Sequence, residues 1–494
     1  MEYKSTRSKN VSGVSSAFAI KSGLAPDGGL YMPERLPHID EKTLHALSGM
    51  TYPERAAEIL SMFLSDYTKE ELLKDCRAAY SEDNFPGGAT QIVNFAPDMY
   101  SLELWHGPTC AFKDMALQIM PRLLSSALRK TGEKRTALIL VATSGDTGKA
   151  ALEGYKNTDR IKIQVFYPEN GVSRVQKLQM ATQTGDNVDV CAIKGNFDDA
   201  QTGVKRIFSD ASVRAELDAQ GVFLSSANSI NWGRLAPQIV YYISAYCDLA
   251  ASGKIKYGDE INVCVPTGNF GNIFAAYIAN LMGLPIGHLI CASNKNNILT
   301  DFLSTGVYDR NRDFYTTISP SMDILISSNL ERLLYLICGP EATGKYMKEL
   351  AEKGRYEISG EDFAKIKEKF IGYFADEDKT KSTIKATYEK HGYLIDPHTA
   401  VAVSAAEDFI KDKGNSAPII IASTASPYKF AKDVYSALSG KSAKGDLEAL
   451  GELSAMTGVE IPGPLRGIGD RKIRFDKVTD PEGMADMVMS FAKK

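Results

Sequence analysis

A chain of 494 residues exceeds what one hydrophobic core usually serves, and length alone suggests about three domains. Hydrophobic residues make up 44% and charged residues 24%, proportions of a folded globular protein that exclude a disordered chain. Basic and acidic residues nearly cancel to a net charge of −4, and no basic block is long enough to track a nucleic-acid backbone, so no nucleic-acid partner is expected.

No apolar run reaches the length needed to span a bilayer, and the start, Met1-Glu2-Tyr3-Lys4-Ser5, lacks the apolar stretch of a signal peptide. The seven cysteines are scattered, odd in number and never paired as Cys-x-x-Cys, which argues against a disulfide framework and a zinc knuckle. They read as reduced, mostly buried thiols, and the expected location is cytoplasmic. Asn10-Val11-Ser12 fits the glycosylation pattern, which has no meaning without secretion. The six histidines form no His-x-x-x-His or Glu-x-x-His set, so no metal is expected.

Residues 1 to about 95 read as a separate, partly helical module. Pro53 suits the first position of a helix through Ala56, Ile59, Leu60 and Phe63, and Thr68-x-x-Glu71 makes a capping box for the next. Asn84-Phe85-Pro86-Gly87-Gly88 breaks the pattern as a linker or a loop. Nothing here carries chemistry, and a cap or interface role is expected.

The run Trp105-His106-Gly107-Pro108-Thr109-Cys110-Ala111-Phe112-Lys113-Asp114 follows. Gly107-Pro108 is a turn, and Ala116, Leu117, Met120, Leu123, Leu124, Ala127 and Leu128 recur at helical spacing, so a helix is predicted from near Phe112. Lys113 then lies in its first turn. The positive end of the macrodipole opposes an ammonium there and lowers its pKa, and an amine with a depressed pKa attacks aldehydes. Taken alone, the placement also fits a surface lysine that tolerates a small electrostatic cost.

From about 136 the chain alternates β-branched runs with helical ones. Strands are predicted at 136–141, 162–166 and 187–190, with helices at about 148–155, 172–182 and 198–217. A second series holds strands at 261–265 and 418–422 and a helix at 273–282. Such alternation implies βαβ units in parallel sheets, and two facing α/β regions would form a cleft. Residues 340 to 415 are rich in lysine and glutamate at helical spacing, with the capping pattern Ser359-x-x-Asp362, and read as a solvated helical insertion.

Three loops at strand ends could bind anions or polar ligands. Gly268-Asn269-Phe270-Gly271-Asn272 joins a predicted strand to a helix, so backbone N–H groups and the helix dipole converge on one spot; a plain strand-to-helix turn has the same pattern. Ser144-Gly145-Asp146-Thr147-Gly148-Lys149 is not a P-loop, because only two residues separate its glycines and Ala150 stands where a hydroxyl would hold magnesium. It remains a hydroxyl-rich helix start suited to a carboxylate or phosphate. In Asn228-Ser229-Ile230-Asn231-Trp232-Gly233-Arg234, the guanidinium matches phosphate oxygens but could equally pair with a surface carboxylate. Thr424 ends a short apolar strand, where open α/β sheets place ligands, and also suits a helix cap.

His106-Gly107-Pro108-Thr109-x-Ala111-Phe112-Lys113-Asp114 resembles the cofactor-lysine motif of the threonine synthases, pyridoxal-phosphate (PLP) enzymes with the tryptophan-synthase-β type of fold. The resemblance continues, in the family's order, through Ser144–Gly148, Asn228–Trp232, Gly268–Asn272 and Thr424-Ala425-Ser426-Pro427, and Gly23–Glu34 is similar to the family's longer branch. It implies an α/β fold of PLP type II, with two facing α/β domains of mainly parallel sheet and an N-terminal, partly helical domain. The expected division is 1–95; a large domain of 96–134 and 226–494 carrying the 340–415 insertion; and a small domain of 135–225.

The implied cofactor is pyridoxal phosphate, linked to Lys113. By resemblance Gly268, Asn269, Phe270, Gly271 and Asn272 cup its phosphate and Thr424 meets its ring nitrogen. Ser144, Asp146, Thr147, Asn228, Ser229, Asn231 and Arg234 would bind substrate, namely O-phospho-L-homoserine, converted with water to L-threonine and phosphate. The family usually has histidine where Ser426 stands and alanine where Gly233 stands. The same framework could run a β-elimination to a 2-oxo acid, or keep the fold as a binding protein without catalysis. Monomer and homodimer both remain open.

Overall fold

The computed structural model describes residues 1–170, 172–414 and 417–494. Two sheets organise it. The larger has six strands in the order Phe370–Phe374, Ile286–Ser293, Ile261–Pro266, Ile419–Ser423, Met99–Glu103 and Gln91–Ala96. All neighbours are parallel except the last pair. The smaller sheet runs Lys477–Thr479, Val188–Ile193, Ile161–Pro168, Thr136–Ala142 and Val222–Ser225, all parallel. Central strands such as Ile261–Pro266 and Val188–Ile193 are buried at every residue, as parallel strands covered by helices on both faces must be. The α/β architecture with mainly parallel sheets follows the expectation.

The expected capping box at Thr68/Glu71 forms and opens helix Lys69–Ala79; helix Tyr52–Phe63, with Pro53 at its second position, opens on another, at Thr51/Glu54. This N-terminal module packs on the long, buried helix Trp232–Ala251 through Arg55, whose Nη1 donates to Asp248 Oδ1 at 2.6 Å and whose Nε donates to the Leu47 carbonyl at 2.8 Å. The predicted helix at 198–217 is two, Phe197–Ser209 and Ala211–Ala219, because the Asp210 carboxylate caps Ser212 and Val213 and turns the chain. Ser359 precedes helix Gly360–Lys369, but its side chain makes no capping bond.

Three boundaries need correction. Gln91–Ala96 pairs with Met99–Glu103, so residues 91–95 belong to the large sheet and not to the N-terminal module. At the other end, Lys477–Thr479 pairs with Val188–Ile193, and helix Met484–Ala492 buries Met484, Val488 and Phe491 against the small sheet. The last part of 226–494 therefore crosses back to the small half. The segment 340–415, whose end at Asn415 lies outside the described residues, is not a solvated insertion. It contains the edge strand Phe370–Phe374 and helix Pro397–Lys413, whose Ala400, Val401, Ala402, Val403, Ala405 and Ala406 are buried in the core beside the large sheet. Its lysines and glutamates lie largely on the flanking helices Pro340–Lys353 and Glu377–His391 and masked that core helix.

Candidate active site

The site forms at the carboxyl end of strand Ile419–Ser423. The residues that follow clasp the loop before Lys113: Phe112 N donates to the Thr424 carbonyl at 2.8 Å, and Ser426 N donates to that of Cys110 at 3.1 Å. Within the loop, the buried Asp114 accepts from Thr109 N at 2.8 Å and from Thr109 Oγ1 at 2.7 Å. Burial raises its pKa to about 7 against those hydrogen bonds. Gly107 is required, since a Cβ there would lie 2.5 Å from Asp114 Oδ2. These contacts fix Lys113 at the start of a single helical turn, Asp114–Leu117.

The Lys113 amine has a pKa lowered to about 8. Burial is the main cause; Asp146 opposes it, while Lys429 and Arg234 reinforce it. The expected depression is present, but its cause is desolvation, and the helix is only four residues long. Nζ donates to Ser321 Oγ at 3.3 Å and lies 3.7 Å from Asp146 Oδ2. Asp146 is buried; burial disfavours its charge, but Lys429, with Nζ 2.7 Å from Oδ1, and Lys113 hold its pKa well below the usual carboxylate range. Gln176 Nε2 donates to the same oxygen at 2.9 Å. Asp146 was expected to face the substrate. In the structure it stands as the counter-ion of two lysines, with Lys429 and Gln176 on one oxygen and Lys113 and Ser321 at the other. Ser144 and Thr147 remain partly exposed beside it, on a turn that Thr143 Oγ1 pins by accepting from Gly145 N and Gly148 N at 2.9 Å each.

The Gly268–Asn272 loop lies against this group. A Cβ at Gly268 would come within 2.6 Å of the Ser321 carbonyl, and Phe270 adopts a left-handed φ of 62°. Asn329 N and Nδ2 both donate to the Asn269 carbonyl at 3.0 Å, and Ser327 Oγ donates to that of Gly268 at 2.7 Å. Tyr241 donates to Asn272 Oδ1 at 2.7 Å, with Tyr242 on the same oxygen, which orients the amide and leaves Nδ2 buried without a partner. A buried amide donor with no acceptor, beside a loop of small residues at the start of helix Gly271–Leu281, fits a phosphate group.

Arg234 is buried, with its pKa lowered to about 10 by burial; its Nη1 donates to the Ala227 carbonyl at 2.7 Å and its Nε has no partner. Asn231 is built into the wall of the site. Its Oδ1 caps helix Trp232–Ala251 through Gly233 N, and its Nδ2 donates to the Ile20 and Ser226 carbonyls, so its amide is occupied in building the wall. Asn228 and Ser229 are partly exposed nearby. Ser426 is a buried cap for Tyr428 N.

Sequence reasoning missed Ser321, Lys429, Gln176, Asp396 and His398. Asp396-Pro397 is a signal that could have marked the start of helix Pro397–Lys413, but a cap pattern does not reveal that the adjoining His398 ring accepts from Ser321 N beside the lysine.

A buried amine of lowered pKa beside a loop that fits a phosphate suits an aldehyde that also carries phosphate, the chemistry of the pyridoxal-phosphate enzymes. Comparisons agree. Residues 98–422 match the family of pyridoxal-phosphate-dependent enzymes, residues 2–80 match the threonine synthase N terminus, and residues 399–488 match the threonine synthase C-terminal family. The threonine synthase of Pseudomonas aeruginosa is 38% identical, over 88% of this chain and 90% of that one. Human threonine synthase-like 1 is 41% identical over 89% of this chain, which spans only 60% of that relative's length. The PLP-bound threonine synthase of Brucella melitensis superposes with a TM-score of 0.86 over the whole of both chains at 36% identity. The chain belongs to the threonine synthase family of pyridoxal-phosphate-dependent enzymes, and its cofactor is pyridoxal phosphate.

Proposed function

We propose that the chain converts O-phospho-L-homoserine and water to L-threonine and phosphate. The observation that carries this reading is a buried cation with no carboxylate partner: Arg234 is 3% exposed and its Nε has no partner, whereas the buried Lys429 is taken up by Asp146. The Gly268–Asn272 loop already provides for the cofactor phosphate. Arg234, with Asn228 and Ser229, is left for a second phosphate, and Ser144 and Thr147 at a helix start suit the substrate carboxylate.

When bound, pyridoxal phosphate supplies an electron sink for charge developing at Cα. Lys113 would hold it covalently, Gly268, Asn269, Phe270, Gly271 and Asn272 its phosphate, and Thr424 its ring nitrogen with a neutral hydroxyl. Lys113, once freed, takes the Cα proton, and its pKa of about 8 keeps a useful fraction in the basic form near neutrality. Asp146 stays ionised throughout because Lys429 holds its charge, so it stabilises the Lys113 ammonium without keeping the proton. Lys113 would also return protons along the carbon chain as phosphate leaves Cγ and water adds at Cβ.

We also propose a cytoplasmic location and a capping role for the N-terminal module. All seven cysteines are free, six of them buried, and no helix among the described residues is long and apolar enough to cross a membrane.

The test is simultaneous assay of phosphate, threonine and 2-oxo acid from O-phospho-L-homoserine, with free threonine, serine and homoserine as competitors. Equal phosphate and threonine, with little 2-oxobutyrate, is the expected result. Phosphate matched by 2-oxobutyrate would make the chain a phospho-lyase, and turnover of free threonine or serine alone would make it a dehydratase.

A further inference from the structure

One short segment, around Ser321, touches both halves of the cofactor site. Its hydroxyl lies between the Lys113 amine, at 3.3 Å, and Asp146 Oδ2, at 3.5 Å. Its carbonyl lies against Gly268 of the phosphate loop. Its N–H donates to His398 Nε2 at 3.1 Å. A backbone N–H can only donate, so Nε2 must be the unprotonated nitrogen and the ring proton must sit on Nδ1. That nitrogen faces Asp396 Oδ1 at 2.8 Å.

Asp396 is itself fixed. It accepts from His398 N at 2.9 Å and from Thr399 N at 3.3 Å, and Thr399 Oγ1 bonds to it as well and to Ser423 Oγ, at the end of the strand that carries Thr424. Both members of the dyad are buried, His398 at 2% exposure. A carboxylate that sets the tautomer of an imidazole, which in turn orients a reactive group, is the arrangement by which outer residues aim a metal ligand or nucleophile.

We infer that His398, oriented by Asp396, is a positioning residue for the Lys113 amine and acts through Ser321. The hydroxyl bridges the amine and Asp146 and holds that ion pair at a separation of 3.7 Å, while the His398 bond keeps the hydroxyl in place. The charged groups acting on the amine are Asp146, Lys429 and Arg234. Of these only Asp146 would gain from the removal of Ser321, and a closer carboxylate favours the ammonium. Loss of the relay therefore slows reaction of Lys113 with an aldehyde and moves its pH midpoint upward. The inference rests on Lys113 being the cofactor lysine.

The test uses the full-length chain stripped of cofactor. The rate of PLP capture by Lys113, in which the amine adds to the aldehyde carbon and water leaves, is followed by visible absorbance across a pH series. Pyridoxamine phosphate, which has no aldehyde, reports the cradle alone. His398→Leu removes the acceptor, His398→Gln returns one near the Nε2 position, and Ser321→Ala removes the hydroxyl. Capture is expected to slow about tenfold at pH 8 and to shift its midpoint upward in the leucine and alanine variants. The glutamine variant should stay within about threefold of the parent, and pyridoxamine phosphate affinity should be unchanged in all. Parent-like capture in the leucine and alanine variants would overturn the inference. So would a glutamine variant as slow as the leucine one, or loss of pyridoxamine phosphate binding along with capture. A parent chain that captures PLP at another lysine would instead defeat the functional reading.

Discussion

Lys113→Ala is expected to lower threonine formation by about a thousandfold or more, the loss typical when a single residue carries both the covalent link and the proton transfers. PLP should still bind, more weakly, through the Gly268–Asn272 loop, which Ser327 and Asn329 hold in place. In the parent, capture of PLP should rise with pH about a midpoint near 8, because only the neutral amine attacks. Activity measured beside cofactor content separates the two effects. A variant that keeps more than about a tenth of parent activity would assign the chemistry to another group.

Asp146→Asn has the second large effect, on stability. The carboxylate is 3% exposed and faces Lys429, itself 1% exposed, and Lys113. Neutralising it leaves two buried ammonium groups without their counter-ion, and breaking a buried pair in this way costs about 3–5 kcal/mol. The pKa of Asp146 in the folded protein lies below its unfolded value, so its contribution is complete above the ordinary carboxylate range and is lost as pH falls through the folded value. Urea unfolding at pH 7 should therefore show the full deficit, and parent and variant should converge in acid. The Lys113 amine should also lose the one group that raises its pKa and become neutral at lower pH. Equal unfolding midpoints at pH 7 would mean that the lysines find other partners.

Much of the architecture was legible because its signals are local. The apolar runs at 136–141 and 261–265 read as strands and are so, and the Thr68/Glu71 pair fixes its helix start by hydrogen bonds three residues apart. What escaped depends on distant pairing. Lys477–Thr479 is a three-residue edge strand with exposed side chains, so no alternation marks it, and only its partner Val188–Ile193 makes it a strand. Helix Pro397–Lys413 has buried alanines nearly all round and hence no clear stripe, and charged neighbours hid it.

The candidate site divides in the same way. Lys113 and the glycine loop stood out as single stretches with an evident physical purpose. Asp146 and Asn231 were found as part of the wall, but their partners were not: Lys429, 283 residues beyond Asp146, makes it a counter-ion, and the Ile20 carbonyl accepts from the Asn231 amide. Burial was equally invisible in one dimension. It replaced the helix dipole as the reason for the low Lys113 pKa.

The proposed chemistry requires that the bond broken is carbon to oxygen and that solvent oxygen ends on Cβ. Turnover of O-phospho-L-homoserine in water enriched in the heavy oxygen isotope, with both products analysed by mass spectrometry, measures this directly. The account predicts label in the β-hydroxyl of threonine and none in the phosphate, which departs with all its original oxygens. Label in the phosphate, with unlabelled homoserine as the other product, would mean that water attacks phosphorus, and would contradict it.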